Sequence, residues 1–287
     1  MSAVSLRSVS EIALYANWSK SSIDRNVSCS RPGHLYFNGD KICPIVSRAF
    51  APFSSKACEK ISDTMSIVPL SDTSRRTANL PITTAAIILL NILVFVLELG
   101  GGEAFVRQWS VIPADIVAGK GWITILTSMF MHGGWMHIIG NMLFLKAFGP
   151  EIEDAMGRGR YLMFYLLCGV SASIAQIVAA PGSTVPNLGA SGAIAGVMGA
   201  FLITYPRDRI RVLLFFFIFV RTAMVPAALL IGVWFLLQVF SQVGSVANVQ
   251  SGGVAYMAHI GGFIVGAVTA RFFETPRLIA GLERVER

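Results

Sequence analysis

The sequence predicts an all-α polytopic membrane protein, from its composition and from the length of its uncharged segments. Of the 287 residues, 54% are hydrophobic and only 14% are charged, whereas soluble domains carry about 25% charged residues. Several uncharged segments can cross a hydrocarbon core about 30 Å thick, which takes about 20 helical residues. These segments lack the alternation of a membrane barrel, and lipid cannot satisfy backbone polar groups. We therefore expect the spans to be helices.

The membrane domain is predicted to cover residues 79–273 and to contain six spans. Their ranges are 81–99, 123–148, 161–180, 189–205, 225–243 and 254–272. The loop between the first two spans, residues 100–122, is too long for a simple connector. We therefore expect a structured, membrane-associated element in this first loop.

Two polar segments flank the predicted membrane domain. Residues 1–78 show no sustained helical or strand period, so we expect a poorly ordered N-terminal extension. From Met65 the chain is a short polar leader that enters the first span, and residues 1–64 are therefore interpreted as an over-extended start. A transit peptide is a weaker interpretation, because this stretch holds several acidic residues. Residues 274–287 form a charged C-terminal tail.

The positive charges predict the orientation in the membrane. The formal net charge is +7, yet the basic residues lie beside hydrophobic segments, which does not indicate a nucleic-acid partner. Six spans place both termini on one side, with ten basic residues: Arg75, Arg76, Lys146, Arg158, Arg160, Arg207, Arg209, Arg211, Arg271 and Arg277. The opposite loops hold Arg107 and Lys120. The positive-inside rule then puts both termini in the cytoplasm and Ser191 near the outer face.

One segment supplies a serine in a setting suited to nucleophilic chemistry. Gly189-Ala190-Ser191-Gly192 opens an uncharged apolar run that reaches Tyr205. A helix starting here places Ser191 in its first turn, where unpaired N–H groups and the helix dipole favour a developing anion. The sequence therefore predicts a nucleophile whose reaction passes through an oxyanion.

Polar side chains inside the apolar segments are the other candidates. Three of the four histidines, His132, His137 and His259, lie within or at the edge of hydrophobic segments. An ionisable group is costly in a span and indicates a functional site by default. His137 and Asn141 are four residues apart, so they share one helix face and can direct donors at one point.

Small residues on the fourth and last spans predict how Ser191 and His259 meet. Small residues spaced by four let two helices approach closely. The glycines on these faces are Gly192, Gly196 and Gly199 in the fourth span and Gly262 and Gly266 in the last. Contact between the faces would bring Ser191 beside His259, the minimal pair for covalent hydrolysis.

Each of these features has a structural explanation when it is taken alone. Gly-Ala-Ser-Gly can simply start a helix, His137 with Asn141 can be a hydrogen-bonded pair, and His259 can be a packing residue. Their occurrence together on one side of the membrane favours a site. A zinc site of the common helical type has the motif His-Glu-x-x-His. The nucleophile turn of soluble hydrolases, Gly-x-Ser-x-Gly, needs glycine at position 193. A transporter usually shows internal repeats. None of these patterns is present, and we predict no cofactor and no metal.

These motifs resemble the rhomboid family of intramembrane serine proteases over about residues 80–272. They are His132-x4-His137-x3-Asn141, Gly189-x-Ser191-Gly192 and Ala258-His259-x2-Gly262-x3-Gly266. The resemblance implies a six-helix bundle around a water-filled cavity open to the outside. It implies Ser191 as nucleophile and His259 as general base, with no third acid.

The resemblance also assigns the neighbouring residues. His137, Asn141 and the backbone N–H of Ser191 match the family's oxyanion hole, and His132 matches a histidine beside it. Two positions depart from the family pattern. Ile123 follows Trp122 where arginine is frequent, and Ala195 stands where some members have a tyrosine against the catalytic histidine. We therefore expect other contacts to orient His259.

The predicted function is hydrolysis of a peptide bond in or next to a substrate transmembrane segment, through a Ser-His dyad. The expected partners are single-span membrane proteins within the lipid bilayer. The alternative is a non-catalytic rhomboid-like scaffold that binds and escorts membrane proteins. The expected location is the inner membrane of the cell, and the alternative is the mitochondrial inner membrane. Substrate identity and oligomeric state stay open.

Overall fold

The computed structural model describes residues 36–37, 40–41, 65–72, 77, 79–216, 219–246 and 255–275. The chain divides into a smaller unit, residues 1–66 with 215–219, and a larger unit, residues 67–214 with 220–287. In the smaller unit, strands β1 (Tyr36–Phe37) and β2 (Asp40–Lys41) pair antiparallel. The rest of residues 1–64, and residues 276–287 of the predicted tail, lie outside the described residues. Every predicted site residue belongs to the larger unit.

The described part of the larger unit is mostly helical. Its α-helices are α1 (Ile82–Trp109), α2 (Pro113–Val117), α3 (Thr124–Thr127), α4 (Trp135–Met156), α5 (Arg158–Ala179), α6 (Ser191–Thr204), α7 (Ala227–Val246) and α8 (Tyr256–Phe273). A 3₁₀ turn, Ser128–Phe130, follows α3 directly. The long helices α1, α4, α5, α6, α7 and α8 correspond to the six predicted spans.

The outer surface of this bundle is apolar. Among the described helices, α1, α5 and α8 are each long and apolar enough to cross a membrane, and α6 and α7 carry shorter apolar lengths. Val178, Phe240 and Val268 point outward with 74%, 70% and 76% of their surfaces exposed. Large exposed apolar faces on several helices are a surface that lipid covers. The predicted class, a helical polytopic membrane protein, is confirmed.

Two predicted boundaries are wrong. Helix α1 continues to Trp109, ten residues past the predicted end, with helical dihedrals broken only at Gly102. The predicted single span 123–148 is instead α3, the 3₁₀ turn and α4, which is preceded by an extended link. The break falls at Gly133-Gly134, where Gly134 has a φ of 155° that residues with a Cβ rarely adopt. His132 therefore lies before α4 and not on the same helix as His137.

A small sheet accompanies the helices and was not predicted. Strands β3 (Met65–Asp72), β4 (Arg209–Phe216) and β5 (Phe219–Pro226) form it in the order β3-β4-β5. In β4, residues 209–212 alternate between exposed arginines and buried aliphatic side chains, which is the two-residue period of a strand. Strand β3 lies in the extension that was expected to be poorly ordered, so that expectation is wrong for residues 65–72.

Helix α6 is the centre of the bundle. Every residue from Gly192 to Phe201 is buried, as expected for a helix that is apolar on all sides. It packs mainly against α8 and α5, and also against α4. The Phe201 ring meets the Phe148 ring of α4 edge-on, with centroids 5.2 Å apart. Ser191 thus begins a helix whose next ten residues are all buried.

Glycines let α6 and α8 touch backbone to backbone. A Cβ on Gly262 would overlap the carbonyl oxygen of Gly192, and a Cβ on Gly266 would overlap the backbone of Gly196. A Cβ on Gly199 would likewise overlap the carbonyl of Phe263. These contacts form the small-residue interface that the sequence predicts between the fourth and last spans.

Buried carboxyl groups join helix ends that lie away from Ser191: Glu153 of α4 bonds to the start of α1, and Glu274, just after α8, bonds to the end of α6. Both carboxylate oxygens of Glu153 accept hydrogen bonds from the first turn of α1, from the Thr83 N–H at 2.8 Å and the Thr84 N–H at 2.7 Å. They satisfy donors that a helix start leaves unpaired. Glu274, predicted to begin the tail, is instead buried and accepts a hydrogen bond from the Thr204 hydroxyl at 2.6 Å.

The α6–α8 contact makes Gly266 intolerant of a side chain. We expect Gly266→Ala to lower the free energy of unfolding by about 1–3 kcal/mol, because the added methyl meets backbone that cannot rotate away. The measurement is denaturant or thermal unfolding in detergent. Gly232→Ala on α7 is the matched control, because open space surrounds that position. Equal destabilisation of the two variants would contradict the packing argument.

Candidate active site

Ser191 begins α6 at the end of a loop that is held by backbone hydrogen bonds. Val111 and Asn187 exchange two of them, at 3.0 and 2.7 Å, and the Gly189 N–H donates to the Ser128 carbonyl at 2.9 Å. Ala190 precedes the helix and offers no side-chain cap. The first N–H groups of α6 are therefore not covered by a capping side chain of that residue.

The structure brings Ser191 and His259 into hydrogen-bond contact. The Oγ of Ser191 lies 2.7 Å from the Nε2 of His259, although 68 residues separate them in the chain. Ser191 starts α6 and His259 lies in the first turn of α8, so the glycine contact between these helices sets the distance. Both residues are half-buried, so part of each residue's surface is exposed.

Helix α7 contacts the other ring nitrogen of His259, Nδ1. This helix was not predicted to belong to the site. The Nδ1 of His259 lies 2.8 Å from the Oε1 of Gln238 on α7. The Trp234 ring, one turn earlier on α7, lies 5.9 Å from the imidazole at an angle of 38°. These two residues provide the contacts that Ala195 cannot. A glutamine inside an apolar span was the signal for Gln238, since polar groups there need partners.

His137 is oriented as a donor toward the same place. The Gly133 N–H donates to His137 Nδ1 at 3.3 Å, so in a neutral imidazole the proton lies on Nε2. That Nε2 faces Gly189, where a Cβ would lie 2.9 Å from it and 3.5 Å from the Ser191 Oγ. His137 and Ser191 thus border one point, and Gly189 leaves it open.

Asn141 lies one turn beyond His137 on α4. It is buried, with 2% of its surface exposed, and the four-residue spacing puts it on the helix face of His137. Its amide supplies N–H donors on the same face of α4 as His137.

His132 is buried behind His137 and not in line with it on a helix. Its ring centroid lies 5.1 Å from that of His137, with the planes at 69°. Its backbone N–H donates to the Glu98 Oε2 of α1 at 2.9 Å. Glu98 was not predicted to have a role, although an acid inside a predicted span was a signal for one. Glu98 holds the link that positions His132.

Serine, imidazole and amide groups make up the described site. Among residues 79–216, 219–246 and 255–275, no three His, Cys, Asp or Glu side chains are grouped so as to hold a metal ion. A hydroxyl bonded to an imidazole, beside donors at a helix N-terminus, can carry out acyl transfer.

Comparison with known proteins gives consistent matches. The family model of the Rhomboid domain matches residues 119–274, more than half of the chain. Rhomboid protease GluP of Bacillus subtilis (strain 168) is 32% identical over 204 residues, which are 69% of this chain and 36% of that protein. Rhomboid protein 1, mitochondrial, of Saccharomyces cerevisiae is 30% identical over 190 residues, which are 64% of this chain and 51% of that protein.

A human relative matches over a shorter region. Presenilin-associated rhomboid-like protein, mitochondrial, of Homo sapiens is 32% identical over 135 residues, which are 46% of this chain and 35% of that protein. The alignments thus cover about a third to a half of the lengths of these three relatives.

The position of Gly189 gives a test of the site geometry. Gly189 has a φ of 138°, and a methyl group would press on His137 Nε2. We expect Gly189→Ala to slow covalent labelling of Ser191 by a fluorophosphonate probe about tenfold or more, because a donor beside the serine is displaced. Gly182→Ala in the same loop is the control, since nothing lies near that position. Equal labelling rates would show that His137 does not border the reacting atoms.

Proposed function

Because the chain belongs to the rhomboid family, we propose that it is an intramembrane serine protease. It hydrolyses a peptide bond in or next to a transmembrane segment of its substrate. The observation that carries this proposal is the 2.7 Å contact between the Ser191 Oγ and the His259 Nε2. A nucleophile bonded to a base, with the base held by a third group, is the arrangement that acyl transfer requires.

The first half of the reaction forms an acyl-enzyme. His259 Nε2 takes the proton from the Ser191 hydroxyl while the Oγ attacks the substrate carbonyl carbon. The carbonyl π electrons move to oxygen, which becomes the oxyanion of a tetrahedral intermediate. When that intermediate collapses, the C–N bond breaks, and the leaving amine takes the proton that His259 holds.

The second half returns the enzyme to its starting state. Water attacks the acyl carbon while His259 takes one of its protons. Collapse of the second intermediate breaks the bond to the Ser191 Oγ, which regains the proton from His259, and the product leaves with a new carboxyl group. A single imidazole serves both halves because its Nε2 alternates between acceptor and donor.

The oxyanion is held by the Ser191 N–H, His137 and Asn141. The support for this assignment is the proton position on His137 Nε2, its approach to Gly189, and the location of Ser191 at the start of α6. Hydrogen-bond donors fixed before the reaction stabilise developing charge without reorganisation. The positive end of the α6 dipole acts in the same direction.

The proposed site lies below the outer membrane surface. Helix α6 has 14 residues and is therefore about 21 Å long at about 1.5 Å per residue, shorter than a hydrocarbon core of about 30 Å. Basic residues follow its C-terminal end, so the positive-inside rule puts Ser191 at the outward end. Hydrolysis then needs a water-filled opening on that side.

We propose that the partners are single-span membrane proteins, which present a peptide bond to this opening from the bilayer. Both termini of the protease are then cytoplasmic. The proposed location is the inner membrane of the cell, with the mitochondrial inner membrane as the alternative. Relatives of bacterial and mitochondrial origin both occur.

Removal of the nucleophile tests the proposal directly. We expect Ser191→Ala to abolish cleavage of a membrane-anchored substrate in liposomes and to abolish fluorophosphonate labelling, because no other group replaces the Oγ. Ser183→Ala is the control in the preceding loop. A scaffold that only binds membrane helices would show neither cleavage nor Ser191-dependent labelling in the wild-type protein. Full activity of Ser191→Ala would refute the dyad.

The oxyanion assignment gives a graded effect. We expect Asn141→Ala to lower kcat about a hundredfold, since one oxyanion donor contributes on the order of 3 kcal/mol, and to leave the protein folded. The measurements are steady-state cleavage in detergent and thermal unfolding of the same sample. Unchanged kcat would remove Asn141 from the oxyanion hole, whereas a lower unfolding temperature alone would give it a structural role.

A further inference from the structure

The imidazole of His259 is bounded on three sides by described residues. Ser191 lies at Nε2, Gln238 lies at Nδ1, and the Trp234 ring lies at 5.9 Å. Gln238 and Trp234 are four residues apart, so both project from one face of α7. Helix α7 therefore contacts the ring at two points, and α6 contacts it at a third.

The contact with Gln238 selects one form of the imidazole. An amide oxygen can only accept a hydrogen bond, so the Nδ1 of His259 must carry the proton that it donates to Oε1. In the neutral ring, Nε2 is then the unprotonated nitrogen and accepts the proton of the Ser191 hydroxyl. The opposite form, with the proton on Nε2, would donate toward Ser191 and could not act as a base.

We propose that Gln238 is the positioning residue of the catalytic base, which holds His259 in the protonation form and ring orientation that proton transfer from Ser191 requires. This inference rests on the proposed function and names a further residue for the same reaction. Gln238 has only 8% of its surface exposed, so water does not readily replace its oxygen. The Trp234 ring, with its centroid 5.9 Å from that of the imidazole, limits rotation of the His259 ring.

A neutral amide suits this position in a membrane. A carboxylate would hold the same Nδ1–H and would also stabilise the imidazolium, but a buried charge within a span is expensive to desolvate. The glutamine oxygen supplies the orienting hydrogen bond without that charge. In the pair of Gln238 and His259, the residue that orients the base is therefore neutral, and the low-dielectric interior of the bundle need not hold an extra charge.

The test compares variants that remove or retain the acceptor. We expect Gln238→Leu to lower kcat about tenfold to a hundredfold with KM within about twofold, a smaller loss than the roughly 10²- to 10⁴-fold effect of losing the base itself. Gln238→Glu keeps an oxygen in place and recovers most of the rate. Gln242→Leu removes the same side chain one turn later on α7 and is the matched control. Thermal unfolding in detergent is followed for each variant.

A second readout does not depend on activity. With ¹⁵N-labelled histidine, of which the chain has four residues, His259→Ala identifies the His259 signal. We expect that signal to show a proton on Nδ1 in the wild type and in Ser191→Ala, and a mixture of both neutral forms in Gln238→Leu. A wild type with the proton on Nε2 would overturn the inference.

The outcomes separate this inference from the proposed function. If the wild type shows no Ser191-dependent cleavage, the protease assignment fails, while the NMR result still decides the role of Gln238. If the wild type cleaves and Gln238→Leu matches it in kcat, only the inference fails. Should Gln238→Leu not fold, the folded Gln238→Glu variant decides, because loss of its activity would contradict the role of the oxygen.

Discussion

The backbone contact between α6 and α8 is the constraint on which the rest of the site depends. Ser191 and His259 lie at the same end of these two helices, and only glycines allow the helices to approach closely enough for a 2.7 Å contact. Lipid does not drive helices together as water does, so close van der Waals packing must supply the association. The same glycines therefore contribute to stability and align the proposed nucleophile, Ser191, with the proposed base, His259.

Much of this arrangement could be predicted because it depends on residues that are only a few positions apart in the sequence. The pairing of His137 with Asn141 and the four-residue glycine repeats need only helical geometry. Gln238 and Glu98 were missed because each is a single polar residue in an apolar run, and its partner is distant in sequence. Strands β4 and β5 lie between two predicted spans, and their apolar residues do not alternate with polar ones along the whole length, so the strands were not predicted.

The buried acids of the bundle and the residues of the site have different tasks. Glu153 accepts hydrogen bonds from backbone N–H groups at the start of α1, and Glu98 accepts one from the backbone N–H of His132. Both carboxyl groups satisfy backbone donors whose positions do not change, where an unmet donor in lipid would be costly. The site itself uses a hydroxyl, imidazoles and amides. Buried carboxyl groups thus accept hydrogen bonds from fixed backbone N–H groups, whereas neutral side chains carry out the proposed reaction.

This separation explains how the proposed dyad of Ser191 and His259 works without a third acid. The charge that matters in acyl transfer appears only in the transition state, as an oxyanion beside Ser191 and an imidazolium at His259. A carboxylate at Nδ1 would also orient the ring and stabilise the imidazolium, but its charge would have to be desolvated inside the bundle. Gln238 orients the ring and leaves its Nε2 free to accept. In a low-dielectric bundle, orientation by a neutral group therefore costs less desolvation free energy, and the Nε2 of His259 stays available to accept the serine proton.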